Sequence, residues 1–136
     1  MKIKRVEHIA IAVDAIAPAV RLFQDVLGLK LDYEEQLGTI RLAMLPVGET
    51  AIEFLESADP ASEIARWPRE KGTGLFHLCF EVEDIDEALA ELKAKGVALR
   101  DQTARIGHGG ARIAFLDPAA TGNVLIELAE LPAEHA

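Results

Sequence analysis

Two histidines and two glutamates, His8, Glu53, His77 and Glu127, are the residues of this sequence whose types and spacing could do chemistry. His8 opens the apolar run "HIAIAV" and His77 the run "HLCFEV", while Glu53 lies within "TAIEFLE" and Glu127 within "NVLIELAE". Two imidazole nitrogens and two carboxylate oxygens without a thiolate suit an octahedral Co²⁺, Mn²⁺, Ni²⁺, Fe²⁺ or Zn²⁺, with two positions left for substrate or water. A carboxylate held at such an ion can also serve as a base. Taken singly, each residue has a plainer reading: a strand histidine is usually a hydrogen-bonded core or edge residue, and a glutamate near a strand end is usually solvated. The four stand apart because the pattern that carries them occurs twice.

Shifted by 69 positions, His8, Val13, Ile16, Ala19, Val20 and Phe23 fall on His77, Val82, Ile85, Ala88, Leu89 and Leu92. Further on, Pro46, Gly48, Ile52 and Glu53 answer Pro118, Gly122, Ile126 and Glu127, with two extra residues in the second copy. Self-similarity of this kind defines structural modules, here one over about residues 5–57 and a second over about 74–130. Residues 8–13 and 77–82 alternate as strands do. Residues 16–27 and 85–95 carry apolar side chains at helical spacing and stop at Gly28 and Gly96. Three more strands are expected in each module, near 29–35, 39–45 and 50–56, then near 97–102, 111–116 and 123–129, separated by Gly, Pro and Asn turn signals. The expected fold class is therefore α+β, built from two paired βαβββ modules in a single domain.

Alternation along each strand then assigns faces. His8 shares one with Ala10 and Ala12, His77 with Cys79 and Glu81, Glu53 with Ala51 and Leu55, and Glu127 with Leu125 and Ala129. The opposite faces, such as Ile9/Ile11/Val13 and Leu78/Phe80/Val82, are bulky and suit packing against helices. The smaller residues beside His and Glu leave room for a cavity into which polar groups project.

Composition narrows the partners. The 136 residues carry a net charge of −9, which argues against nucleic acid or an anionic membrane surface. No apolar run approaches the ~20 residues that span a bilayer. The single cysteine, Cys79, rules out an internal disulfide framework, and no signal-peptide pattern opens the chain, so a reducing, cytoplasmic setting is expected. A polyanionic ligand would need a local basic patch, for which Lys2, Lys4, Arg5, Arg66, Arg69, Lys71, Arg105 and Arg112 are the material. Of the remaining histidines, His108 sits in the glycine-rich stretch "GHGG" and is a proton carrier by type alone, whereas His135 lies in a polar tail and reads as incidental.

At these residues the chain resembles the vicinal oxygen chelate superfamily, and within it the methylmalonyl-CoA epimerases. The resemblance rests on "HIAIAV" (8–13), "LPVGETAIEFLE" (45–56), "FHLCFEVEDIDEALAELKAKGV" (76–97), "RIGHGGARIAFLDP" (105–118) and "GNVLIEL" (122–128) in their order and spacing. It implies a curved sheet around a metal cavity, a divalent ion, Co²⁺ foremost, held by His8, Glu53, His77 and Glu127, an acyl-CoA substrate, and a homodimer. It further implies proton abstraction by Glu127 from the carbon between the thioester and the carboxylate. Members commonly carry two consecutive histidines where this chain has Phe76-His77, and a histidine where Asp117 stands. One branch of the family uses a second glutamate on the strand matching residues 39–45, which here reads "TIRLAML", with Arg41 and no carboxylate. Three other activities share the fold: a glyoxalase I-type lactoylglutathione lyase would use the same quartet, a ligand-sequestering protein would typically lack it, and an extradiol dioxygenase would be expected to use a three-ligand iron site.

Overall fold

The computed structural model describes residues 1–72 and 74–133. Its elements run β1 (Ile3–Ala12), α1 (Ile16–Leu27), β2 (Tyr33–Leu37), β3 (Ile40–Val47), β4 (Thr50–Ser57) and α2 (Glu63–Lys71). They continue with β5 (Leu75–Val82), α3 (Ile85–Ala94), β6 (Arg105–Ile106), β7 (Arg112–Phe115) and β8 (Ile126–Glu130), with short 3₁₀ turns at His108–Gly110 and Pro118–Thr121. The chain forms two compact units, His8–Phe76, and Met1–Glu7 with His77–Ala136.

In the first unit the strand order is β2-β3-β4-β1, antiparallel except that β1 runs parallel to β4. Two-residue Gly-X loops close both hairpins, and Gly38 and Gly48 take φ 62°, the left-handed geometry that such a tight turn requires at its first position. Helix α1 begins and ends where the apolar spacing predicts, at Ile16 and Leu27. It buries Ile16 and Val20 against Ala43, Leu45 and Phe54. Phe54 is 1% exposed and meets Phe23 edge to face at 4.8 Å. Replacing it with alanine removes an aromatic ring from a closed core, and Phe54→Ala should cost about 3–5 kcal/mol of unfolding free energy, read from the shift in a urea melt.

The second unit repeats the plan with the order β5-β8-β7-β6, β5 running parallel to β8. Helix α3 packs Ile85, Ala88, Leu89 and Leu92 onto Val82, Ala114 and Leu128. The second strand of this module differs from expectation. Residues 97–102 form no strand; they make the isolated bridge Leu99–Leu116 and a few backbone bonds to Phe115 and Asp117, and the paired segment is reduced to Arg105–Ile106. The Asp101 carboxylate accounts for part of this, because it accepts from the Phe115 amide at 2.8 Å, so a side chain does what a ladder bond would do. Val124, expected in the last strand, precedes β8 and is exposed.

Helix α2 falls in the stretch that the sequence presented only as the divide between modules. Ser62 caps it by accepting from the Ala65 amide at 3.2 Å, and the helix tolerates Pro68. It delivers Trp67 edge-on to Phe76, with ring centroids 4.9 Å apart, and the indole N–H donates to the Leu75 carbonyl. The residue before His77 is thereby fixed by packing.

Candidate functional site

The helices of the two modules are tied to the strands that carry the glutamates by one repeated device. The Ile16 amide at the head of α1 donates to Glu56 Oε1 at 3.0 Å, and the Ile85 amide at the head of α3 donates to Glu130 Oε1 at 2.9 Å. Glu56 and Glu130 each lie three residues after the candidate ligand on the same strand. A carboxylate at a helix N-terminus satisfies an amide that the helix leaves unpaired and complements the helix dipole, an interaction of about 0.3–1 kcal/mol. Sequence reading missed both contacts, although the repeat that aligns Glu53 with Glu127 also aligns Glu56 with Glu130.

Register then brings each histidine to its glutamate. In the first unit Ala10 pairs with Glu53, and His8 stands two residues before Ala10 on the same face. In the second, Cys79 pairs with Glu127, and His77 stands two residues before Cys79. The outcome is two equivalent pairs: His8 Nε2 lies 3.3 Å from Glu53 Oε1, and His77 Nε2 lies 2.9 Å from Glu127 Oε1. All four residues are buried, with exposures of 0% for His8, 3% for Glu53, 7% for His77 and 2% for Glu127. The His77 ring also meets Phe115 edge-on at 5.1 Å, and Phe115 is the β7 partner of Glu127.

The donor chemistry of these pairs fits a divalent ion. Two donors each about 2.1 Å from one ion and at right angles to each other lie about 3.0 Å apart, which matches both His–Glu separations. A buried carboxylate is costly unless a positive charge or hydrogen bonds compensate it, and a divalent ion would supply that charge to each pair. Each histidine nitrogen already lies within 3.3 Å of its glutamate oxygen, so each half-site is preassembled.

The other residues singled out in the sequence take different places. Strand β3 gives the face of Glu53 Ile40, Leu42, Met44 and Pro46, none of them a proton carrier, since Met44 pairs with Glu53, Leu42 with Leu55 and Pro46 with Ala51. Arg41 points to the other face, where it meets Glu34 Oε1 at 3.2 Å, half exposed. His108 is buried and its Nε2 lies 2.8 Å from Glu7 Oε1. The candidate basic residues are engaged locally. Lys4 and Arg5 both reach Glu81, Lys2 reaches Glu83, Arg66 pairs with Glu70 and Arg105 with Asp101. Arg112 grips Asp86 through two contacts of 2.8 and 2.9 Å, and its guanidinium holds the Asp86 carboxyl below the usual carboxylate range. Arg69 donates to the Pro60 carbonyl, and Lys71 lies over the Trp67 ring. His135 lies outside the described residues.

Comparison with known proteins adds what geometry alone does not. Residues 7–115 match the family model described as the glyoxalase/bleomycin resistance protein/dioxygenase superfamily. The chain is 32% identical over 127 residues to a mitochondrial methylmalonyl-CoA epimerase of Bos taurus, covering 91% of this chain and 73% of that one. A solved methylmalonyl-CoA epimerase of Mycobacterium tuberculosis superposes with a TM-score of 0.91 at 34% identity, covering 98% of this chain and 91% of that chain. A methylmalonyl-CoA epimerase solved in complex with methylmalonyl-CoA and an ammonium ion gives a TM-score of 0.91 at 28% identity, covering 97% of each chain. No helix among the described residues is long and apolar enough to cross a membrane.

Proposed function

The chain belongs to the glyoxalase/bleomycin resistance protein/dioxygenase superfamily, with its glyoxalase-like α+β fold, and from that membership we propose that it is a metal-dependent methylmalonyl-CoA epimerase. One observation carries the reading: two buried His–Glu pairs built with the same register in the two modules. In this reading His8, Glu53, His77 and Glu127 close on one divalent ion, Co²⁺ foremost, with Mn²⁺, Ni²⁺, Fe²⁺ or Zn²⁺ as other fits to the donor set. The bound ion supplies electrostatic stabilisation of the negative charge that proton loss places on the thioester oxygen.

The chain's own residues do the rest. The Cα–H bond between thioester and carboxylate breaks toward Glu127, which takes the proton. A second proton carrier delivers a proton to the opposite face, and inversion is complete. His8, Glu53 and His77 act by holding position, each on a strand whose other face is locked into a helical core. A single domain, a homodimeric assembly and a cytoplasmic setting complete the proposal. The homodimer rests on the family resemblance, and the setting is supported by a cysteine count of one, the buried Cys79, which leaves no internal disulfide to form.

A glyoxalase-type lyase would use the same four ligands on a glutathione hemithioacetal, so substrate decides between the two. Metal-loaded protein is incubated separately with each methylmalonyl-CoA epimer and with the hemithioacetal of glutathione. Interconversion of the acyl-CoA epimers with the hemithioacetal left unchanged is expected, and turnover of the hemithioacetal alone would overturn the assignment.

A further inference from the structure

An epimerase that moves a proton from one face of a carbon to the other needs a carrier on each face, and on the face of Glu53 strand β3 offers only Ile40, Leu42, Met44 and Pro46. We propose that His108, held by Glu7, is the second carrier, opposite Glu127; the inference rests on the epimerase reading above. The supporting geometry lies wholly within the second unit, which also holds His77 and Glu127.

The turn at His108–Gly110 folds over the face that carries the His77–Glu127 pair. Ala111, just past it, packs with Cys79, Ile113 and Ala129. Cys79 is the β5 partner of Glu127, Ile113 is the β7 partner of Ala129, and Ala129 stands two residues past Glu127, so all of these share the face of Glu127. Gly107 makes the close approach possible. A Cβ there would lie 2.5 Å from Ile113 Cδ1, so only glycine lets the loop press onto that side chain. The loop is closed by two backbone bonds, Gly107 N–H to the Ala111 carbonyl and Ala111 N–H to the His108 carbonyl, both 2.9 Å.

Within this loop His108 is 5% exposed, with Nε2 2.8 Å from Glu7 Oε1. A carboxylate against one ring nitrogen fixes the orientation of an imidazole and stabilises the ring when it carries a second proton, as in a general acid–base histidine held by a buried acid. Glu7 is a positioning residue in this account. Its neighbour Arg5 is bound to Glu81 at 2.7 Å, and Glu81 shares the β5 face of His77 and Cys79, so the start of β1 is pinned beside that face. The step balances without a further reactant: the Cα–H proton passes to Glu127, the His108 imidazolium gives its proton to the opposite face, and the reverse direction exchanges the two roles.

The test uses His108→Gln, which keeps size and a hydrogen-bonding group for Glu7 but cannot relay a proton. Each epimer is incubated with metal-loaded protein in deuterated water, and label is read in recovered substrate and in product. Wild-type protein should place solvent deuterium in product from either epimer. His108→Gln should lower inversion by about 10²–10⁴-fold in both directions, the usual worth of a positioned acid or base. It should still wash deuterium into the epimer whose proton faces Glu127 while leaving the other epimer unlabelled. Glu7→Gln should lower kcat for inversion with little change in KM and bias label toward the same one-sided pattern. Glu35, on the β2 position paired with Leu42 and so on the face of Glu53, is the comparison carboxylate, and Glu35→Gln should leave the labelling unchanged. Wild-type inversion in His108→Gln, equal loss of exchange from both epimers, or the one-sided pattern appearing in Glu35→Gln would each overturn the proposal. A wild-type protein inert toward both epimers would instead overturn the epimerase reading and this proposal with it.

Discussion

Glu127→Gln should lower the rate of methylmalonyl-CoA inversion by about 10²–10⁴-fold, the loss expected when a positioned base is removed from a proton transfer. The substitution is nearly isosteric, and the amide oxygen remains able to face His77, whose Nε2 now lies 2.9 Å from Glu127 Oε1. Folding should therefore be preserved and part of the metal affinity retained. What the amide lacks is basicity. The diagnostic reading is again one-sided: the epimer whose proton faces position 127 should lose both inversion and solvent exchange, because no other group takes that proton. The pattern is the mirror image of the one expected for His108→Gln, so the two variants together assign one proton carrier to each face. If Glu127→Gln inverts its substrate at the wild-type rate, Glu127 is not the base.

His77→Ala and Glu53→Ala should each weaken divalent-metal binding by more than the roughly 10–100-fold that removal of an outer-shell partner typically costs, since each deletes a direct ligand. The two variants probe different modules. His77 belongs to the second unit and Glu53 to the first, and each leaves a buried partner behind, Glu127 in one case and His8 in the other. Equal losses from both would mean that a single ion draws on both modules. Calorimetric titration with Co²⁺ reads the affinity directly. Retention of stoichiometric metal in His77→Ala would remove that residue from the ligand set, and loss confined to one of the two variants would mean that one half-site alone holds the ion.

The sequence made the two His–Glu pairs legible because the two modules preserve the same positions: His8 and His77 are 69 residues apart, and each stands two residues before the strand partner of its glutamate. Helix α1 was legible for a similar reason, with an apolar stripe and a glycine stop at Gly28, which takes φ 72°. Where the modules differ, the reading failed. Helix α2 lies between the two repeats and contains Pro68, so local preference argued against it, while the Ser62 cap and the packing of Trp67 on Phe76 decided for it. The segment near 97–102 has strand-like composition, yet only Leu99 makes a bridge, because Asp101 turns its carboxylate onto the Phe115 amide. Arg41 drew notice because its strand, matched by position, carries it and no carboxylate. Its register places it on the face opposite Glu53. The contact of Glu7 with His108 could not be read from the repeat at all. Glu7 aligns with Phe76, and its partner lies 101 residues away in a loop.

The central claim is that two half-sites make one metal centre on which epimerisation depends, and metal stoichiometry measured alongside activity tests it most directly. Protein stripped with a chelator is titrated with Co²⁺, and bound metal per 14.7 kDa chain is determined at each step together with the rate of methylmalonyl-CoA inversion. The account predicts saturation at one ion per chain, with inversion absent at the start and rising in proportion to occupancy. Two ions bound per chain, or full inversion by the stripped protein, would contradict it.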